Sequence, residues 1–346
     1  MLRNDFTKII ASIPLLGLSN YPGNSIYNSF EDKKKLVPKK LVQGDTIGLI
    51  SPASAASEES FDKAIKNIEN LGFKYKLADN LRKKNGYLAG NDFERVNDLN
   101  LMFADDEVDA VWCIRGGYGT TRILNKINFD VIKSNPKVFI GFSDITALHM
   151  AIYKYAGLVT FHGPVAASEF NEYTTENFVN ILMNGGKRII NVKDNQREEG
   201  ELFKPKVIVE GNMTGKLYGG NLCLISALAG TKYQSNTRGK IIFIEDIDEK
   251  PYRIDRMLTQ LTDSFHLKNA SGVLIGVMKG CEKDEDEKNS WTLSETLKDR
   301  LGNLGIPVFY GFSFGHIKNN CTLPVGASAY FDYLNQEINI LEDVVK

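Results

Sequence analysis

At 346 residues the chain is long for one hydrophobic core, so two domains are expected. A hydrophobic content of 42% and a charged content of 25% are those of an ordinary soluble globular protein. Lys and Arg number 42 against 43 Asp and Glu, a formal net charge of −1, which leaves no field to draw in nucleic acid or an anionic membrane.

The chain opens with Met1-Leu2-Arg3, then Phe6, Ile9, Ile10, Ala11, Ile13, Pro14, Leu15, Leu16 and Leu18, then a polar stretch to Ser29. A short basic region, an apolar run and a small-residue tail outline an export signal. The apolar run is too short to span a bilayer, and no cysteine follows it to carry a lipid anchor. A periplasmic or otherwise exported protein and a cytoplasmic one with an apolar leader both remain open. Residues 1–40 are read as this segment and its basic spacer.

Folding proper starts near Leu41. Thr46 to Ile50 reads as a buried strand ended by Ser51-Pro52. Ser57 is placed to cap a helix whose face carries Phe61, Ala64, Ile65, Ile68 and Leu71, with Gly72 as the stop. A second helix from about Asp92 turns Phe93, Val96, Leu99, Met102 and Phe103 inward. The strand Val108 to Ile114 runs into Arg115-Gly116-Gly117-Tyr118-Gly119. Val138-Phe139-Ile140 then leads through Gly141-Phe142-Ser143-Asp144 into an apolar helix, Ile145 to Tyr155, and Leu158 to Phe161 is the last strand of this half, closed by His162-Gly163-Pro164. Strands that are apolar throughout and alternate with helices predict a parallel sheet covered on both faces, over about 41–166. Ligands of such sheets sit beyond the carboxyl ends of the strands, where both Arg115 and Ser143 fall.

Residues 167–210 are rich in Asn, Glu and Lys and read as an interdomain crossover. The second domain, 211–346, contains a Gly219-Gly220 turn, a short helix from Asn221 to Leu228, and a strand Lys240 to Ile244 ending at Glu245-Asp246. Ile254, Met257, Leu258 and Leu261 make a helical stripe; Gly272 to Met278 is a strand; Leu293, Leu297, Leu301 and Leu304 line another helix. Pro307 to Phe312 leads into Ser313-Phe314-Gly315-His316, and Ala327 to Tyr333 pairs with Glu337 to Leu341 as a hairpin. The acidic run Glu282 to Glu287 reads as a solvated loop.

A serine between a strand and a helix has the logic of a nucleophile elbow, although Ile145 stands where G-x-S-x-G wants glycine; the alternative is a helix cap by Ser143 or Asp144. Of four histidines, His149 points away from the elbow and His266 sits exposed at a helix end. The general base is left between His162 and His316, the latter slightly favoured for its glycine- and asparagine-rich loop. Glu245 is the best placed carboxylate to orient it, with Asp246 and Asp248 competing. The four cysteines are scattered, without zinc or disulfide spacing, and Cys113 and Cys223 read as buried thiols. No metal spacing is present, no nicotinamide fingerprint follows the first strand, and Gly211 to Leu217 falls short of a phosphate loop, so no cofactor is called for.

Taken in order, Gly44-Asp45-Thr46-Ile47 with Ser51-Pro52, Arg115 to Gly119, Gly141 to Leu148, His162 to Pro164, Gly219 to Asn221, Phe243 to Asp246, Tyr252 to Leu258, and Gly315-His316 with Thr322 to Gly326 closely resemble the LD-carboxypeptidase family of serine peptidases, which includes the microcin C immunity peptidases. The resemblance spans about Leu41 to Ala329. It implies a flavodoxin-like N-terminal domain, a smaller β-rich C-terminal domain, a homodimer, and a Ser143-Glu245-His316 triad. It moves His162 to a structural or pocket-wall role. The implied oxyanion donors are the backbone N–H groups of Asp144 and of Gly116 or Gly117; Arg115, Tyr118, His162 and Asn221 are the candidates for holding substrate. Arg115 suits a free carboxylate, or a salt bridge bracing its own loop. The implied substrate is a peptidoglycan-derived tetrapeptide that loses its terminal D-alanine. The alternative is an aminoacyl-nucleotide antibiotic, for which Trp291 would offer an aromatic surface.

Overall fold

The computed structural model describes residues 35–185, 189–191 and 200–346, so the leader-like segment lies outside the described residues. In chain order the first half runs β1 (Thr46–Ile50), α1 (Glu58–Asn70), β2 (Lys74–Leu77), α2 (Asp92–Ala104), β3 (Ala110–Cys113), α3 (Phe129–Ser134), β4 (Val138–Gly141), α4 (Thr146–Ala156) and β5 (Thr160–His162). β2-β1-β3-β4-β5 is the flavodoxin-like order, all parallel, with its switch point between β1 and β3. β1, β3, β4 and β5 are almost wholly buried, which is why they read as apolar runs rather than alternating ones.

The second half runs α5 (Glu172–Leu182), β6 (Ile189–Asn191), β7 (Lys206–Val209), β8 (Met213–Asn221), α6 (Leu222–Ala227), β9 (Lys240–Glu245), α7 (Pro251–Ser264), β10 (Gly272–Gly276), α8 (Leu293–Leu301), β11 (Val308–Phe312), β12 (Leu323–Val325), β13 (Ser328–Asp332) and β14 (Glu337–Ile340). Eight of these strands form a second sheet, β6-β14-β13-β8-β9-β10-β11-β7, parallel in its centre and antiparallel towards both edges. β12 returns to the first sheet and pairs antiparallel with β5, at Leu323 and His162. The two sheets are therefore sewn together next to the loop that carries His316.

Several local expectations hold in atomic detail. Ser57 accepts from Ser60 N–H as the cap of α1, and Ile254, Met257, Leu258 and Leu261 are all buried on α7. Others are corrected. Phe93 is 70% exposed, and Arg95 takes the buried place on α2, its guanidinium donating to the carbonyls of Pro52 and Gly119 and to Asp92. Gly219 and Gly220 are no turn but the end of β8; a Cβ at Gly219 would lie 1.8 Å from Phe243 O, so only glycine lets β8 pass β9 there. Leu304 lies beyond the end of α8, and Cys223 is half-buried rather than buried. The stretch expected to be irregular, 167–210, contributes α5 and two strands of the second sheet.

Candidate active site

Three loops converge at the carboxyl ends of β1, β3 and β4. The elbow follows β4: Phe142 is extended, Ser143 adopts φ +64, and the chain turns through a short 3₁₀ segment into α4. A non-glycine residue in this left-handed region is strained, and it lifts the side chain clear of the sheet edge. The capping alternative loses ground, because no side-chain cap bond is made at this helix start.

The glycine loop packs against that turn. A Cβ on Gly116 would stand 3.0 Å from Ser143 Cβ and 3.2 Å from its Oγ, so a side chain there would crowd the hydroxyl. Asp144 holds the two loops in register. Its buried carboxylate accepts from Thr120 N–H at 2.9 Å, and its carbonyl accepts from Thr120 Oγ1 at 2.6 Å. Burial raises the Asp144 carboxyl above its usual range, while the bonds from the Thr120 region oppose that rise. Thr120, like Arg95, gave no signal in the sequence; each does its work through backbone groups that a one-dimensional pattern does not reveal.

Opposite the elbow stands the pair from the second sheet. Glu245 ends β9, fully buried, and its Oε2 lies 2.7 Å from His316 Nδ1. Burial pushes the Glu245 carboxyl up, but the His316 imidazole, with His162 and the Asn221 amide, outweighs it, and the net is below the ordinary carboxylate value. For His316, burial lowers and the Glu245 carboxylate raises; the carboxylate wins and the imidazole lies above 6.5. The His316 and Phe142 rings are 4.8 Å apart, so the imidazole lies against the residue that precedes Ser143. Among the described residues no hydrogen bond joins Ser143 to His316, and resting-state catalytic bonds are often long.

Of the competing acids, Asp246 is occupied elsewhere. Asp246 accepts from Asn221 Nδ2 at 3.0 Å and from the N–H groups of Cys223 and Ile247, and burial pushes its carboxyl up to about 7. Asp248 sits at φ +55. His162 is fully buried among Phe142, Phe243 and Phe314, and burial lowers it to about 4. His149 is also buried, bonded to Gly141 O and Thr160 Oγ1, and His266 is exposed.

Among the remaining expected residues, Arg115 is exposed and donates to Ala55 O at 3.2 Å, bracing its loop through a carbonyl. Tyr118 is 48% exposed, and its N–H donates to Ser54 Oγ. Asn221 has both side-chain functions engaged, capping α6 through Leu224 N–H and donating to Asp246. Its own N–H donates to Thr146 Oγ1 at the start of α4, which ties the elbow helix to β8. Trp291 is half-exposed at the start of α8. Among the described residues no cluster could hold a metal ion, and no helix is long and apolar enough to cross a membrane.

The LD-carboxypeptidase N-terminal domain matches residues 47–163 and the LD-carboxypeptidase C-terminal domain residues 214–331. A probable murein peptide carboxypeptidase of Bacillus subtilis is 42% identical over 292 residues, 84% of this chain and 90% of that protein. The microcin C7 self-immunity protein MccF of Escherichia coli is 27% identical over 333 residues, 89% of this chain and 96% of its own. The solved apo structure of MccF matches with a TM-score of 0.81 at 26% identity, covering 90% of this chain and 100% of that one. A muramoyltetrapeptide carboxypeptidase from Oxalobacter formigenes matches with a TM-score of 0.74 at 30% identity, covering 87% and 100%.

Proposed function

The chain belongs to the LD-carboxypeptidase family and is a peptidase, and from that premise we propose that it removes the terminal D-alanine of murein tetrapeptide through a Ser143-His316-Glu245 triad. The observation that carries the proposal is the 2.7 Å bond between His316 and Glu245, beside a serine held at φ +64.

In this reading Glu245 accepts from Nδ1–H of His316, which leaves Nε2 as the base. Nε2 takes the proton of Ser143 Oγ as the oxygen attacks the scissile carbonyl. The oxyanion is met by the backbone N–H of Asp144 and one from Gly116 or Gly117, each donor being worth about 3 kcal/mol in comparable sites. The carbon–nitrogen bond then breaks, and D-alanine leaves with the proton from His316. Water, deprotonated by the same imidazole, opens the acyl-enzyme and releases the tripeptide. Arg115 supplies charge for the substrate's free carboxylate, and a homodimer is the expected assembly.

Purified protein incubated with murein tetrapeptide should release D-alanine, and Ser143→Ala should stop the release. Undiminished release by the alanine variant would remove the triad; no release by the parent protein, with turnover of an aminoacyl nucleotide instead, would remove the substrate.

A further inference from the structure

The glycine loop that packs against the elbow is itself held from behind by a second serine. Ser54 lies on the loop after β1 and grips the chain on both sides of Gly117. Its N–H donates to Gly116 O at 3.4 Å, and its Oγ accepts from Tyr118 N–H at 3.0 Å. Ser54 is tied down in turn. Its carbonyl accepts from Ser51 Oγ at 3.4 Å, and the neighbouring Ala53 O accepts from Ala89 N–H. Gly117, at φ +114, is pressed onto this anchor, and a Cβ there would lie 2.6 Å from Ser54 Cβ. Gly116 meets the elbow instead, where a Cβ would lie 3.0 Å from Ser143 Cβ. Between the two serines the loop is one backbone thick.

These contacts fix the peptide planes before and after Gly117. Every peptide bond of the described residues is trans, so within one plane the N–H points opposite to the C=O. Gly116 C=O turns towards Ser54, and the N–H that shares its plane, that of Gly117, therefore turns away. Among the described residues Gly117 N–H meets no backbone acceptor. The bond from Tyr118 N–H holds the following plane, so a glycine without a side chain of its own is clamped from both ends.

We propose that Ser54 is a positioning residue of the oxyanion hole: by holding Gly116 O and Tyr118 N–H it aims Gly117 N–H at the oxygen that turns negative when Ser143 attacks. Gly117, rather than Gly116, is then the second donor beside Asp144. The proposal rests on the peptidase reading above. Ser54 touches no reacting atom. It acts because an oxyanion donor is effective only when it is aimed before the charge develops.

Ser54→Ala removes the Oγ alone, and Ser54→Thr keeps it. With murein tetrapeptide, Ser54→Ala should lower kcat about ten- to hundredfold, short of the loss of a whole donor, and leave KM within about twofold. Ser54→Thr should recover most of that loss. A tripeptide aldehyde ending at the scissile carbonyl supplies a second readout. Ser143 Oγ bonds to its carbonyl carbon, the serine proton passes to His316, and the carbonyl oxygen takes the negative charge. Its affinity for Ser54→Ala should fall in step with kcat, while calorimetry should find binding of the product tripeptide unchanged. A loop that had merely loosened would weaken both ligands. In glycine-labelled enzyme, NMR of the adduct should show the Gly117 amide proton moving downfield more than that of Gly116. An unchanged kcat in Ser54→Ala, a threonine variant as slow as the alanine one, equal weakening of aldehyde and tripeptide, or the larger shift at Gly116 each overturns the proposal.

A fluorophosphonate separates this failure from that of the peptidase reading. Ser143 Oγ bonds to its phosphorus, fluoride leaves and the serine proton goes to His316, whatever the natural substrate. If the parent protein releases no D-alanine yet is labelled at Ser143, labelling slowed about tenfold in Ser54→Ala still supports the anchor, and equal rates sink it. If the parent neither cuts nor is labelled, both readings fall.

Discussion

His316 Nδ1 lies 2.7 Å from Glu245 Oε2, and because the carboxyl is held below its ordinary value it is the acceptor and the imidazole the donor. One tautomer is thereby selected, with Nε2 free of a proton. Glu245→Gln keeps the volume but also offers an amide N–H₂, which favours the opposite tautomer. A fall in kcat of about a thousandfold or more is expected with the fold intact, following the behaviour of triads whose carboxylate is neutralised. Stopped or continuous D-alanine release, alongside circular dichroism, checks it; a loss below about tenfold would detach Glu245 from the chemistry.

The same pair sets the acid limb of the rate profile. As the proposed base, His316 would act only when neutral, and the neighbouring carboxylate raises it above the ordinary imidazole value. Activity is therefore complete above the raised value and is lost as pH falls through it. The limb in kcat/KM should lie above 6.5 in the parent enzyme. In Glu245→Gln the raising charge is gone while burial remains, so whatever activity survives should show the limb displaced to lower pH. A limb that stays in place would assign it to another group.

Gly315 is what allows the pair to meet. Its φ is +111, and a Cβ there would stand 2.8 Å from Glu245 Oε2 and 3.0 Å from Glu245 Cβ. Gly315→Ala must strain the backbone by about 1–3 kcal/mol or push His316 away from its carboxylate. Either way kcat should fall at least tenfold, with KM much less affected. Titration of the His316 ring by NMR should show its pKa moving down as Glu245 recedes; an unmoved pKa with full activity would mean that the loop simply adjusts.

Much of this was legible in one dimension, and the residues show why. Apolar runs without alternation give parallel buried strands, and the stripe on α7 gives its inner face, because both are repetitive solutions to burying surface. The order Ser143, Glu245, His316 came from motif resemblance, since nothing in spacing reveals that β9 and the loop after β11 end at one place. Arg95 escaped because a charged residue is buried only when partners distant in sequence, here Pro52 O and Gly119 O, are waiting for it. Phe93 is exposed because, at 100° per residue, it lies about half a turn around α2 from Arg95 and Met102, outside the stripe that faces inward. The glycine pair at 219–220 looks like a turn, yet its small size serves the approach of β8 to β9 and to Thr146. β12 is too short, and its partner β5 too remote, to be seen as a strand.

Arg95 also yields a stability prediction. Its guanidinium is buried and burial lowers its pKa, opposed by Asp92. Arg95→Met preserves most of the stem packing but strands the carbonyls of Pro52 and Gly119, while Asp92 keeps its bonds from Arg122. A loss of about 2–5 kcal/mol is expected, at about 1–3 kcal/mol for each buried carbonyl left without its donor. Because Gly119 O is one of those carbonyls, the glycine loop should loosen too, so urea titration and oxyanion-dependent inhibitor binding should fall together. A variant with parent stability would show that water takes over the freed groups.

His162 makes acid sensitivity readable from outside the chemistry. Burial lowers it to about 4 in the folded protein, against 6.5 for the free side chain. Between those values the unfolded chain binds a proton that the folded one refuses, so stability is lost as pH falls through the window. With these two pKa values the loss from this one group between pH 7 and pH 5 is about 2 kcal/mol. His149, lowered to about 3, adds in the same direction. His162→Phe fills the same pocket among Phe142, Phe243 and Phe314 without a titrating group. Its stability at pH 7 should change little, while the drop between pH 7 and pH 5 in urea unfolding should shrink by about 2 kcal/mol relative to the parent. An equal drop in both proteins would mean that His162 titrates normally in the folded state, and hence that water reaches the ring beneath the His316–Glu245 pair.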